Sequence, residues 1–115
     1  MKCRKLFSAF LITGILLSQV TQAGEYAGYV RNWWVEENGN ITFYVLNETN
    51  TAYVNGLCGS GVYRLKVSNA NFDEAFTSLK DAAIRSYMVR MYVTACDGTI
   101  NVIRQPKICT WTGDC

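Results

Sequence analysis

The sequence predicts a small, mainly β barrel of five strands with a single helix between the third and fourth, and three observations carry that expectation. Several short runs alternate apolar and polar residues at period two, most plainly Val89, Met91 and Val93 against Arg90, Tyr92 and Thr94. Only one segment, residues 72–86, repeats its apolar residues at helical spacing. Four cysteines remain once an N-terminal leader is set aside, which suits a small exported domain held by disulfides.

The leader comes first. Met1-Lys2-Cys3-Arg4-Lys5 is a basic start, Leu6 to Leu17 an apolar run, and Thr21-Gln22-Ala23 a small-residue exit, the anatomy of a secretory signal peptide over residues 1–23. The run is shorter than the roughly 20 apolar residues of a spanning helix, and no second such stretch follows, so the chain is not expected to span a membrane. Residues 24–115 then form one domain, secreted or periplasmic. Three of the eleven cations leave with the leader, so eight face nine acidic residues and the net charge becomes −1.

Tyr26 to Val35 is rich in aromatic and β-branched residues and runs into the polar stretch Glu36-Glu37-Asn38-Gly39-Asn40, a hairpin signal. The return strand, 41–46, places Ile41, Phe43 and Val45 on one face and Thr42 and Tyr44 on the other. Asn, Thr and Gly dominate residues 47–61, which read as a loop tied down at Cys58. A third strand over 62–67 turns Tyr63, Leu65 and Val67 inward, with Arg64 and Lys66 outward. Asn71 with Glu74 has the spacing of a capping box, Asp73 and Glu74 suit a helix N-terminus, and Phe72, Phe76, Leu79, Ala83 and Tyr87 form the expected buried stripe. The fourth strand follows, then Asp97-Gly98 as a tight turn, and a fifth strand over 99–104 that ends before Pro106. The order β-β-β-α-β-β is the connectivity of the OB-fold.

Cys58, Cys96, Cys109 and Cys115 allow three connectivities. Cys109 and Cys115 enclose five residues with Gly113 to permit a reversal, which favours a local bridge and leaves Cys58 for Cys96 across a loop of nearly 40 residues.

Composition narrows the function. A near-neutral domain offers no dense basic surface for a phosphate backbone, so nucleic acid is not an expected partner. With no histidine, the usual general base and the Ser-His and Cys-His nucleophiles are missing. With neither histidine nor a Cys-x-x-Cys pair, neither metal nor cofactor is expected. The adjacent acidic pairs, Glu36-Glu37 and Asp73-Glu74, have simpler roles in a solvated turn and a helix start, so a glycosidase-like carboxylate pair is not expected either. Gly56, Gly59 and Gly61 cluster without the Lys-Ser/Thr of a phosphate loop. Asn40-Ile41-Thr42 and Asn47-Glu48-Thr49 match the glycosylation sequon but read as turn residues behind a bacterial-looking leader.

The informative excess is aromatic. Residues 24–115 hold Trp33, Trp34, Trp111 and ten Tyr or Phe. Neighbours on a strand face opposite ways, so Trp33 and Trp34 cannot both be core in a simple strand and one of them is exposed. An exposed Trp covers the barrel end or a subunit contact, or it stacks on a sugar ring or a partner's side chain. Trp111 in the terminal cysteine loop has the same two roles open to it, whereas Tyr63 and Tyr87 are expected in the core. Trp33, Trp34 and Trp111 are therefore the candidate ligand-binding residues.

The segment AFTSLKDAAIRSYMVRMYV, a helix running into a strand, and the terminal ICTWTGDC resemble the closing portion of the pertussis-type toxin B subunits, including those of subtilase cytotoxin and typhoid toxin. LKDAAIRSY is also similar to the helix of the cholera-type B subunit. The likeness covers residues 72–115. It implies a secreted OB-fold, commonly assembled as a pentameric ring, that binds cell-surface glycans. The pertussis branch usually carries both cysteines of its second bridge before the helix, whereas here Cys58 precedes it and Cys96 follows it. No glycan-contacting position of the family maps onto the N-terminal half. The expected function is that of a non-catalytic, toxin-B-like glycan binder, and the alternative is a monomeric periplasmic OB-fold protein that binds or inhibits another protein or serves the envelope.

Overall fold

The computed structural model describes residues 24–110 and Cys115; the signal-peptide expectation and Trp111 lie outside the described residues. The elements are β1 (Gly24–Val35), β2 (Ile41–Leu46), β3 (Val62–Leu65), α1 (Phe72–Arg85), β4 (Met88–Asp97) and β5 (Ile100–Cys109). The strands close into a barrel in the order β1-β2-β3-β5-β4. Closure depends on two devices. β1 is shared, pairing with β4 from Gly24 to Tyr29 and with β2 from Tyr29 to Val35, and β3 runs parallel to β5 at Tyr63↔Asn101 and Arg64↔Val102. The pairing of β4 back onto β1 completes the ring. The predicted five-stranded OB-fold barrel is the observed fold.

Period two selects the core. Ile41, Phe43, Val45, Tyr63, Leu65, Val89, Met91, Val93 and Ile103 are buried inside, and α1 adds Ala75, Leu79 and Ala82. Tyr63 is fully buried, and its hydroxyl donates to the Val54 carbonyl at 2.7 Å, so its one polar group is satisfied. Burial pushes that phenol well above its ordinary pKa.

Four expectations are corrected. Asn71 makes no side-chain cap; instead the Asn69 side chain accepts from the Asn71 N–H at 2.8 Å and holds the turn before the helix. The most deeply buried helical stripe is Ala75, Leu79 and Ala82, while Phe72, Phe76, Ala83 and Tyr87 pack only partly buried against the core. Small side chains let α1 approach the strands closely, and the larger rings fit only at its margins. β3 stops at Leu65, so Val67 is 49% exposed instead of core; its N–H leaves the ladder for the Asn40 side-chain oxygen at 2.9 Å. β5 continues through Pro106 to Cys109. Pro106 sits opposite Met91 where the register slips, beyond the last β3 partner of β5, a place that tolerates a missing N–H.

Both favoured bridges form. Cys58–Cys96 and Cys109–Cys115 have Cα atoms 5.6 and 5.5 Å apart. The first ties the loop after β2 to the end of β4, beside the fully buried Asn101. The Asn101 side-chain oxygen accepts from the Cys58 N–H at 2.8 Å, and its amide donates to the carbonyls of Ser60 at 2.8 Å and Val62 at 2.9 Å. One side chain from β5 thus replaces the hydrogen bonds that an irregular loop cannot make for itself.

Candidate functional site

The outer surface of β1, β2 and β3 is built by one extra residue. Arg31 pairs with Tyr44 and Trp34 with Thr42, so three steps along β1 meet two along β2. This bulge contains Asn32, whose φ of 51° is left-handed, a conformation Asn tolerates better than most residues. In an unbulged strand Trp33 would share the outer face with Arg31. The bulge brings Trp34 there instead, opposite Thr42, and Trp33 turns toward α1.

The two tryptophans therefore separate, as strand geometry requires, but neither enters the core: they are 39% and 43% exposed. Trp33 packs edge-on against Phe76 at 5.4 Å between ring centroids, Phe76 lies 5.8 Å from Phe72, and the Lys80 ammonium sits 4.7 Å above the Phe76 ring. Trp33 thus seals the seam between β1 and the helix. Trp34 begins a row: its ring lies 5.9 Å from Tyr44, which lies 5.2 Å from Tyr53. Tyr53, 55% exposed, is held there by its bridge to Leu46 and by Val54 N–H donating to the Val45 carbonyl at 2.9 Å.

Beside the row lies a charge-balanced polar cluster. Arg64 donates from Nη2 and Nε to Glu36 at 2.7 and 3.1 Å, from Nε to the Thr42 hydroxyl at 3.2 Å, and from Nη1 to Asp97 at 3.0 Å. Lys66 completes it at 3.2 Å from Asp97. The buried Thr42 hydroxyl donates to Glu36. That bond, with Arg64 behind it, holds the Glu36 carboxyl below its ordinary range, and Arg64 followed by Lys66 does the same for Asp97. The side chains of Arg64 and Glu36 are 17% and 21% exposed, so solvent still screens the pair, and its main effect is to fix orientation.

Glu36 is thus not a freely solvated turn residue, as the sequence suggested; it is clasped by groups 6 and 28 residues away in the chain. Among the described residues no cluster of three or more metal-ligating side chains occurs, and no helix is long and apolar enough to cross a membrane. In the first glycosylation sequon, Asn40 and Thr42 are both buried in the folded chain.

Sequence reasoning missed Tyr44, Tyr53 and the Arg64 cluster. Tyr44 was legible as outward-facing, and Tyr53 stood out as an aromatic in an Asn/Thr/Gly loop, but nothing local joins them to Trp34. A scan against models of known protein families and a comparison with curated proteins each find no match.

Proposed function

We propose that this chain is an exported, non-catalytic binding protein that recognises cell-surface glycans, in the manner of the toxin B subunits its C-terminal half resembles. The observation that carries the reading is the exposed row Trp34–Tyr44–Tyr53 beside an immobilised hydrogen-bonding cluster. Aromatic rings cover the apolar face of a sugar, while fixed charged donors and acceptors meet its hydroxyls, and a preorganised site avoids the ordering cost of binding. Export agrees with the two disulfides, which persist in oxidising compartments. The test is a glycan array together with the native mass of the disulfide-bonded protein. Glycan binding that Trp34→Ala abolishes without a change in thermal unfolding supports the reading. An array with no signal, from a protein that runs as a monomer, refutes it.

A second reading, a monomer that binds another protein, draws on the separate half-exposed seam of Trp33, Phe72 and Phe76. It predicts that Trp33→Ala, and not Trp34→Ala, impairs function.

A further inference from the structure

We infer that the ligand of this surface is a linear chain of neutral sugars lying along Trp34, Tyr44 and Tyr53, and not a single terminal sugar. The inference rests on the glycan-binding reading above and narrows it to a ligand class.

Three features carry it. The rings follow one another at 5.9 and 5.2 Å, each touching the next, so successive residues of one sugar chain meet successive platforms. The rings at its two ends, Trp34 and Tyr53, are also its most open ones, 43% and 55% exposed. The neighbouring charges argue for neutrality. Arg64 and Lys66 are matched against Glu36 and Asp97 and already bonded to them. A carboxylate or sulfate approaching Arg64 or Lys66 also meets the Glu36 and Asp97 carboxylates already bonded to them and is repelled, whereas a neutral sugar hydroxyl can donate to a remaining carboxylate lone pair.

Gly61 keeps the third ring in line. A Cβ at this position would lie 2.5 Å from the Tyr53 Cβ and 3.0 Å from its Cγ, and Gly61 is itself buried, so any side chain there displaces Tyr53. Gly61 is a positioning residue for the row.

The experiment is calorimetric titration of the disulfide-bonded protein with neutral hexose oligomers from monomer to pentamer, and with a sialylated trisaccharide as the acidic comparison. Affinity is expected to rise from monomer to trimer by at least about tenfold, ~1.4 kcal/mol, and then level off. Tyr53→Ala and Gly61→Ala should each remove the last increment, so that trimer affinity falls to that of the dimer. Equal affinity for monomer and trimer, or preference for the acidic sugar, overturns this inference while leaving glycan binding intact. Failure to bind any glycan overturns the functional reading and this inference with it. A change in native mass for Trp34→Ala or Tyr53→Ala assigns the row to a subunit contact and overturns it as well.

Discussion

Asn101 is the side chain on which the loop between β2 and β3 depends, and replacing it tests that arrangement directly. Asn101→Ala removes three hydrogen bonds, those to Cys58 N–H, Ser60 O and Val62 O. The Ser60 carbonyl keeps the Gly56 N–H at 2.9 Å, but the Cys58 N–H has no other partner among the described residues. Three net bonds at about 1 kcal/mol each, plus the extra cost of a donor orphaned at the partly buried Cys58, make the loss about 3–4 kcal/mol. For a domain of this size that lowers Tm by on the order of 12–25 °C in thermal unfolding followed by circular dichroism. Asn101→Asp is the sharper variant. It keeps the shape and the acceptor for Cys58, but turns its second oxygen toward two carbonyls, so burial and repulsion raise its folded pKa above the unfolded ~3.9. A raised folded pKa gives stability that is full below the unfolded value and is lost as pH rises toward the folded one. The gap between Asn101→Asp and the wild type should therefore be small at pH 3 and widen toward neutrality, by up to about 1.4 kcal/mol per pH unit across the window. A gap that stays constant from acid to neutral pH refutes the assignment of the amide to the carbonyls of Ser60 and Val62.

Three other expectations follow from the same geometry. Removing the Cys58–Cys96 bridge, which spans 38 positions, should cost about 4 kcal/mol, against about 2 for Cys109–Cys115 with its span of 6, in the chain-entropy model; equal Tm losses for the two double Cys→Ser variants contradict it. Arg64→Met should raise the carboxyl pKa values of both Glu36 and Asp97 toward their ordinary range, read by carbon-detected NMR titration; because these depressed values stabilise at neutral pH and lose that effect as pH falls through them, the variant should also show a shallower acid-side decline in Tm. Asn32→Gly should be nearly neutral, while Asn32→Val should cost about 1–2 kcal/mol through its left-handed backbone and alter Trp34 fluorescence by disturbing the bulge; an unperturbed Val variant removes the bulge from the account of the site.

Legibility differed between fold and site for a common reason. β2, the inward face of β4, the Asp97-Gly98 turn and the extent of α1 were all readable, because alternation, turn residues and helical spacing act over a few neighbouring residues. Val67 and Pro106 were misjudged: the end of β3 depends on Asn40, and the passage of β5 through a proline depends on a register slip against β4. The cysteine pairing was legible because only a small set of connectivities exists and loop length separates them.

Local periodicity and cysteine count made a five-stranded, one-helix domain, most of its core alternation and the favoured cysteine pairing legible in the sequence. Only the tertiary structure decided which tryptophan faces outward, because a single left-handed residue in β1 shifts every later side chain to the other face. It alone decided that Glu36, Arg64 and Asp97 meet, since they lie on three segments separated by 28 and 33 positions. Trp34, Tyr44 and Tyr53 likewise become neighbours only when β1, β2 and the following loop close around the barrel. Contacts between such distant residues are set by strand register, and register is a property of the paired sheet that no single strand carries.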